Sequence, residues 1–509
     1  MRVVFCIVFA FSISLPLFCQ DSSSHAENKN EIAFDAEAIL KETQNGGFLH
    51  ENDGKKHWFT AVGGLLFWNV GLSTYNRFVV DAGWTKVGPE QWNHFWTRKL
   101  EWDNDWYWTN FVLHPYQGTI YYNVARSSNL NRIESFALTT VGTAMWEYLC
   151  ETNAPSKNDI IYTTVGAFAV GEMLYRLSIE ADEIHDALGI LVNPTRMWTE
   201  IWTRQKPLGT HGNIHELSFT LALGNAVGYT DLRGYSGEWE KSEVYPFFFA
   251  PSLNVTYGNP FAHDSNDPYS QFELEMSGAI GKGSGTGAAC AYASLDKKIF
   301  YQIRILSNGM LISRAPEKLN SEDVATTVGV VMEYDFDWHS YYLLSTIAPG
   351  IAIKQRREFQ KNALEWHAHL AAILLGTSDF YYYRRNFDEV FIEKRDNPSR
   401  PYNFNIGAQT KLSAKVKNEN GSSVFASFRG YAMYDFYNQL QEFSDGTHAT
   451  HTGWDFVGIL NLGAEFALNK LVKLGLVEEI YTKFATYRTL NDVAQIVNTT
   501  SAYCKLQAK

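Results

Sequence analysis

The chain has 509 residues, of which 45% are hydrophobic, 15% are aromatic and 19% are charged, and its formal net charge is −12. The hydrophobic share excludes disorder for most of the chain, and the negative charge disfavours a nucleic-acid partner. The mean hydropathy of −0.23 disfavours a bundle of transmembrane helices. An aromatic-rich chain of low hydropathy is typical of a membrane β-barrel, whose strands bury only alternate residues in lipid.

The N-terminal segment, residues 1–20, reads MRVVFCIVFAFSISLPLFCQ: one arginine, a run of apolar residues and a helix-breaking proline. This order is typical of a secretory signal peptide and predicts that the mature chain starts near Asp21. The apolar run is too short for a membrane anchor. Lipidation of Cys19 is left open, although the bulky Phe18 before it disfavours it. A polar lead-in, residues 21–56, follows.

Residues 57–205 have the spacing of a helical domain. Asn131 with Glu134 forms a capping box that predicts the start of one helix, and Ser156 with Asp159 predicts the start of another. The link ETNAPSKN between these two helices has the length of a helix hairpin.

After about residue 212, apolar residues recur at every second position instead of at helical spacing. DVATTVGVVMEYDFDW, YNFNIGAQTKLSAKVK and HTGWDFVGILNLGAEFAL alternate apolar and polar side chains over much longer stretches than the usual soluble strand of about 5 or 6 residues. A strand of roughly 9 to 11 residues crosses a bilayer. The fold class predicted is therefore an α+β membrane protein, in which an N-terminal helical domain precedes a transmembrane antiparallel β-barrel of about 12 strands over residues 213–507. A large soluble β-sandwich is the alternative.

A set of polar and aromatic residues runs through the helical half. It comprises Asn76, Arg77, Trp102, Asp103, Asn104, Asp105, Asn110, His114, Pro115, Tyr116, Gly118, Tyr122, Asn123, Ala125, Arg126, Trp146, Glu147, Glu151, Ser156, Asp159, Gly171, Glu172, Arg176, Asn193, Pro194 and Arg196. Over about residues 57–200 this pattern resembles an uncharacterised family of exported bacterial proteins, the domain of unknown function 3943. The resemblance implies export and this architecture, and it implies no particular activity.

Glu147 and Glu151 lie one helical turn apart, so their like charges repel unless something neutralises them. In one interpretation they act with His114, the residue before a helix that opens at Pro115, in general acid–base chemistry or in binding a cation. The interpretation that we favour is a buried ion-pair network that fixes how the helices dock, with Arg126 and Arg176 as partners of the two carboxylates. The predicted network comprises Arg126, Glu147, Glu151, Asp159, Glu172 and Arg176.

The sequence predicts no metal site and no cofactor. The acidic segment Asp103-Asn104-Asp105 is not a calcium loop, because Trp108 and His114 occupy the positions at which such a loop needs a glycine and an acid. On the strands, the residues expected to face the lumen are Glu365, His367, His369, Asp455 and Glu465. Two histidines two positions apart can both bind a metal, but no third ligand is matched to them.

These patterns predict an outer-membrane β-barrel of a Gram-negative-type bacterium, acting as a pore, a gated transporter or an envelope scaffold, with its helical domain docked on or in the barrel. Outer-membrane lipids are the expected partners, with a small solute as a possible occupant of the lumen. An outer-membrane lipid-modifying hydrolase that uses His114 with Glu147 or Glu151 is the alternative from a different class. A surface binding or adhesion protein is the third.

Overall fold

The computed structural model describes residues 49–103, 105–234, 236–283, 299–381, 402–437, 440–442, 448–450 and 453–508. Residues 52–509 form one compact unit, and the described residues 49–51 belong to a separate one. The expected signal peptide, residues 1–20, lies outside the described residues, as do Asn104 and most of the polar lead-in.

The first half of the described chain is helical. Its helices are α1 Trp58–Phe78, α2 Pro89–Asn93, α3 His114–Ser127, α4 Arg132–Met145, α5 Lys157–Asp182, α6 Asp186–Val192 and α7 Arg196–Thr203, with 3-10 turns at Gly83–Thr85 and Phe95–Thr97 and π-helical turns at Thr109–Leu113 and Trp146–Cys150. Among the described helices, none is both long and apolar enough to cross a membrane.

The two predicted helix starts are confirmed. The side chain of Asn131 accepts a hydrogen bond of 2.9 Å from the backbone N–H of Glu134, whose carboxylate accepts one from Asn131 N. Ser156 Oγ accepts from Asp159 N at 3.1 Å. The prediction that His114 precedes a helix was wrong, because the π-helical turn before it runs directly into α3 and His114 is the first residue of that helix.

Helices α1, α3, α4 and α5 run alternately up and down and form a four-helix bundle. Helices α3 and α5 make the closest approach, at Gly118. A Cβ atom at Gly118 would overlap the carbonyl oxygen of Thr163 and lie 2.8 Å from the Cβ of Ala167. The pair therefore requires glycine at this position.

Twelve antiparallel strands close into a barrel, which confirms the predicted fold class. The strands are β1 Ile214–Asp231, β2 Glu240–Tyr257, β3 Phe272–Lys282, β4 Ile299–Arg314, β5 Val324–His339, β6 Leu343–Phe359, β7 Asn362–Ser378, β8 Asn405–Asn418, β9 Ser423–Asp435, β12 Trp454–Ala467, β13 Val472–Ala485 and β14 Val493–Gln507, and a two-stranded sheet of β10 Leu440–Glu442 and β11 His448–Thr450 lies outside the closed sheet. Strand β14 pairs with β1, so the closed sheet has no unpaired edge.

The two ends of the barrel differ in their connections. At the end where β1 starts and β14 finishes, called here the turn end, the connections are residues 258–271, 315–323, 360–361, 419–422 and 468–471. At the opposite end, called here the loop end, they are residues 232–239, 283–298, 340–342, 379–404, 436–453 and 486–492. The longest connections lie at the loop end.

Strand β5 distinguishes the inward face of the barrel wall from the outward face. Its side chains Glu333, Asp335 and Asp337 are completely buried, and they face the barrel interior, where residues of strands across the lumen bind them. Val330, on the opposite face, is exposed. The outward face is apolar around the barrel, as shown by the exposed side chains of Leu221, Phe249, Ile280, Ile351, Leu370, Leu412, Phe456 and Leu476.

The helices cover one part of this outward face. Met332, Tyr334 and Phe336 lie on the outward face of β5 and are nevertheless buried, because Tyr107, Phe111 and Tyr162 of the helical half join them in one hydrophobic cluster. The rings of Tyr107 and Phe336 stack at a centroid distance of 5.2 Å.

Hydroxyl groups fix this contact. Tyr107 donates to the carbonyl oxygen of Asp337 at 3.2 Å, and Tyr162 donates to that of Leu375, also at 3.2 Å. Tyr334 donates in the reverse direction, from the barrel to the carbonyl oxygen of Phe111. The bundle is therefore docked on the barrel, and the part of the prediction that allowed it to lie inside the lumen was wrong.

Helix α5 runs along the barrel from one end to the other. Near its start, Tyr162 contacts the loop end of β7. Near its finish, Arg176 binds Asp267 in a connection of the turn end, at 2.7 Å. With 26 residues at about 1.5 Å each, α5 is roughly 39 Å long. The bundle therefore covers the outer wall over its whole height.

Candidate functional site

The six residues of the predicted ion-pair network do not form one cluster. Arg126 lies twelve positions after His114 along α3, which is about 18 Å in a helix. Arg126 consequently binds Glu172 and not Glu147, and the expectation that it neutralises Glu147 is corrected. The structure separates the residues into a turn-end cluster around Glu172 and a loop-end cluster around Glu147.

In the turn-end cluster, three arginines surround one completely buried carboxylate. Glu172 accepts from Nε of Arg126 at 2.7 Å and from Nε of Arg132 and Arg176, each at 3.1 Å. Burial alone would raise the pKa of Glu172, but the charges of Arg126, Arg176 and Arg132 outweigh it and lower this pKa to about 2. Asp267 binds Arg132 and Arg176 from outside. Each charged group of this cluster therefore has a partner of opposite charge.

Sequence reasoning found Glu172, Arg126 and Arg176 and missed Arg132 and Asp267. Arg132 stands one residue after the helix cap, where its side chain has no local signature, and Asp267 lies in a connection of the barrel. Only the docking of the bundle on the barrel brings Asp267 to the arginines.

The loop-end cluster consists of His114, Glu147 and Asp159. They come from the first turn of α3, from the π-helical turn after α4 and from the first turn of α5. One nitrogen or oxygen atom of each lies within 4.8 Å of the other two. All three side chains are buried, with exposed fractions of 7%, 1% and 2%.

The hydrogen bonds of this cluster are incomplete. Glu147 Oε2 accepts from the backbone N–H of Ser156 at 2.7 Å, and Asp159 Oδ1 accepts from Asn158 Nδ2 at 2.7 Å. Within the described part of the chain, Glu147 Oε1 and His114 Nδ1 have no hydrogen-bond partner. The 3.6 Å between His114 Nε2 and Asp159 Oδ2 is too long for a hydrogen bond.

The pKa shifts of this cluster follow from burial. Desolvation raises the pKa of Glu147 to about 8, and it lowers the pKa of His114 to about 4. Desolvation, and then the negative charge of Glu147, hold the pKa of Asp159 well above its usual range. Without a bound cation, the cluster is therefore mostly uncharged near neutral pH.

Further acids surround the cluster. Glu151 accepts a hydrogen bond from Trp146 Nε1 at 2.6 Å, and desolvation followed by the charge of Glu147 raises its pKa. The charges of Asp103 and Asp105 also act on Glu147. The sequence analysis missed the roles of both aspartates when it dismissed the calcium loop, although both belong to the pattern of the resembled family.

In the barrel, the residues expected to face the lumen lie on the interior side. His369 Nδ1 is 2.6 Å from Glu333 Oε1, and His367 Nδ1 is 3.1 Å from Ser413 Oγ. The remaining three form ion pairs: Glu365 with Arg356 at 3.8 Å, Asp455 with Lys483 at 3.6 Å and Glu465 with Lys415 at 3.1 Å.

The sequence analysis missed the central lumen residues. Arg304 of β4 binds Asp337 at 2.7 Å and reaches across the lumen to Glu479 of β13 at 3.0 Å. Tyr342, stacked on Tyr481 at 4.3 Å between ring centroids, donates to Asp337. Cross-barrel pairs of this kind leave no periodic signal in the sequence.

Closed strands, a polar interior and an apolar outward face define an outer-membrane-type β-barrel, and here it carries a helical bundle on its outer wall. Residues 99–195, which contain the loop-end cluster and all of the turn-end cluster except Asp267, match the family model DUF3943, a domain of unknown function. The resemblance noted from the sequence is thereby confirmed. No curated protein sequence matches the chain.

Several solved outer-membrane barrels resemble the chain weakly. A FadL homologue of Pseudomonas aeruginosa has 8% identity and a TM-score of 0.22 over 57% of this chain and 90% of its own. The toluene transporter TodX of P. putida has 8% identity and a TM-score of 0.24 over 58% and 90%. The transport unit of the autotransporter AIDA-I from Escherichia coli has 11% identity and a TM-score of 0.27 over 57% and 90%. The barrel assignment rests on the strand pairing of this chain.

The two polar clusters should respond differently to the loss of one charge. Glu172→Gln leaves three arginines around a neutral group and should lower the free energy of unfolding by about 3–5 kcal/mol. Glu147→Gln replaces a carboxyl group that burial already keeps largely protonated, so it should have little effect in buffer that contains a chelator. Urea unfolding followed by tryptophan fluorescence measures both values. Equal losses in the two variants would contradict the distinction between Glu172, which is paired with arginines, and Glu147, which is not.

Proposed function

We propose that the protein is an outer-membrane scaffold, in which a closed barrel holds the four-helix bundle beside it at the level of the lipid bilayer. The observation that carries this proposal is the distribution of charge along the bundle. Charged residues gather at its two ends, and the helices between them carry none.

The uncharged stretch occurs in all four helices. Residues 58–76, 115–125, 135–146 and 160–171 contain no Asp, Glu, Lys, Arg or His. These stretches mostly fall short of the roughly 20 residues that an independent transmembrane helix needs. Packing on the barrel therefore has to hold the bundle at this depth.

The outer surface of the bundle supports the same placement. In the uncharged stretches, Val62, Leu66, Phe67, Val70 and Val141 are exposed. Apolar side chains on the face that turns away from the barrel gain nothing from water. They continue the apolar outward face of the strands, so lipid is the solvent that suits both surfaces.

The connections of the barrel suggest its orientation. Barrels of this class have short turns on the periplasmic side and longer loops outside the cell. The turn-end cluster would then lie on the periplasmic side, and the loop-end cluster would lie near the cell surface. Export through a signal peptide at residues 1–20 belongs to this proposal.

The lumen favours a scaffold over an open pore. Glu333, Asp335 and Asp337 are completely buried on the interior side of the wall, whereas residues that line a water-filled channel are solvated. Arg304 bridges Asp337 and Glu479 across the barrel. The lumen is therefore filled by its own side chains at this level, and a solute path is not part of the proposal.

The hydrolase alternative is not proposed. Its catalytic residues would be His114 with Glu147 or Glu151, and His114 and Glu147 are only 7% and 1% exposed. A lipid substrate would have to open the bundle to reach them.

Lipid contact of the bundle can be measured with spin labels. In a chain whose native cysteines are replaced by alanine, labels at Val62→Cys and Val141→Cys should collide more with oxygen, which partitions into lipid, than with a water-soluble nickel chelate. Labels at Lys55→Cys and Lys206→Cys, where the native side chains are 80% and 55% exposed, should show the reverse. Collision rates with the nickel chelate that match at all four positions would overturn the bilayer placement.

Closure of the lumen predicts no steady ion conductance for the wild-type protein in a planar bilayer. The double variant Arg304→Ala/Glu479→Ala removes both partners of the cross-barrel pair and should conduct. Leu370→Ala, on the outward face, is the matched control and should remain closed. Stable ohmic conductance of the wild-type protein would contradict a closed scaffold.

A further inference from the structure

The loop-end cluster of His114, Glu147 and Asp159 is not explained by the scaffold. A buried side chain that only fixes helix packing is normally satisfied by hydrogen bonds or by an opposite charge. Glu172 at the turn end meets this requirement with three arginines. Glu147, of the same residue type and equally buried, has no ion-pair partner among the described residues.

One unsatisfied atom points to a ligand. Because Glu147 Oε2 is held by the N–H of Ser156, the carboxylate is fixed in place and its second oxygen, Oε1, remains available, without a hydrogen-bond partner among the described residues. A buried polar atom without a partner is destabilising, and an ion bound to Oε1 removes this destabilisation.

The spacing of the cluster fits one ion. Two ligand atoms that each lie about 2.0–2.2 Å from a metal ion are roughly 3–4 Å apart. The 3.6 Å between His114 Nε2 and Asp159 Oδ2 falls in this range, and one ligand atom of Glu147 lies within 4.8 Å of both. The same distance is too long for a hydrogen bond.

The local backbone brings these ligands together in an unusual way. A π-helical turn, Thr109–Leu113, directly precedes His114, and a second one, Trp146–Cys150, contains Glu147. Each π-helical turn changes the direction in which the following side chains point, and such turns occur frequently at functional sites. The chain thus departs from α-helical geometry directly before His114 and at Glu147.

Neighbouring cationic side chains do not pair with the carboxyl groups of this cluster. Arg98 is near enough to lower the pKa of Glu147, but its Nη1 donates to the carbonyl oxygen of Tyr148 at 3.0 Å. Among the described residues, its Nη2 has no hydrogen-bond partner and forms no ion pair with Glu147. Lys157, the first residue of α5, lies over the ring of Trp102 at 5.7 Å. The other ionisable groups around Glu147 and Asp159 are the carboxyl groups of Glu151, Asp103 and Asp105.

We propose that His114, Glu147 and Asp159 bind a divalent transition-metal ion, of the class of Zn²⁺ or Mn²⁺, which ties together α3, α4 and α5 at the loop end of the bundle. An imidazole with two carboxylates is a donor set of this class. Ca²⁺ prefers six to eight oxygen ligands, and Mg²⁺ is rarely held by a nitrogen.

Metal binding by the full-length protein in detergent tests this assignment. The protein is stripped with a chelator and dialysed against Zn²⁺ or Mn²⁺, and the bound metal is measured by elemental mass spectrometry. The wild-type protein should bind one ion per chain. Glu147→Gln and Asp159→Asn should each weaken binding by about 100-fold or more. Glu183→Gln, a neutralised acid on the exposed surface of the helical half, should bind like the wild type.

The results that would overturn the assignment are distinct. Binding of Ca²⁺ without Zn²⁺ or Mn²⁺ would refute the metal class, and equal affinities of the wild type and Glu147→Gln would refute the site. Heat-modifiability on gels shows whether each variant is folded. A readout that needs no variant is the pulsed electron paramagnetic resonance of bound Mn²⁺ in the wild type. Coupling to one imidazole nitrogen supports the site, and bound Mn²⁺ without this coupling contradicts it.

Discussion

The alternation of strand β5 is the constraint on which the rest of the structure depends. Glu333, Asp335 and Asp337 point to one side of the wall, and Met332, Tyr334 and Phe336 point to the other. The acids require partners, which are Arg304 of the neighbouring strand β4 and, from across the lumen, Lys411 and Arg429. The aromatic side requires an apolar cover, and the helices supply it with Tyr107, Phe111 and Tyr162. One period-two segment therefore determines both the closed lumen and the position of the bundle.

The two ends of the bundle use buried charge in opposite ways. At the turn end, Glu172 meets three arginines, and the barrel itself contributes Asp267 to the same cluster. This arrangement joins the bundle to the barrel through ion pairs in which each charged group has a partner of opposite charge. At the loop end, acids outnumber bases around His114, and Glu147 Oε1 has no hydrogen-bond partner among the described residues. Stabilisation of the contact between bundle and barrel explains the turn-end cluster. It does not explain the loop-end cluster, so a bound cation is proposed at the loop end alone.

Local features could be predicted from the sequence, and contacts between distant segments could not. The capping residues Asn131 and Ser156 act on backbone groups three positions away, so their pattern is visible in the sequence. The strict alternation of polar and apolar side chains identifies the strands. Closure of the sheet follows because a membrane barrel leaves no strand edge unpaired. Arg126 was matched with Glu147 because both occur in neighbouring segments, although α3 carries Arg126 to the far end of the bundle. The aromatic face of β5 has the sequence pattern of a lipid-facing surface, because a strand face covered by helices and one covered by lipid both require apolar side chains. The sequence pattern therefore does not show whether helices or lipid cover this face.

The position of the bundle on the outer wall is the central claim, and cryo-electron microscopy of the protein in a lipid nanodisc tests it most directly. Density for α1, α3, α4 and α5 should appear within the thickness of the disc, beside the barrel and in contact with the outward faces of β4, β5 and β6. The lumen should contain density for side chains and no helix. Helices that project beyond the lipid disc, or that occupy the lumen, would contradict the account.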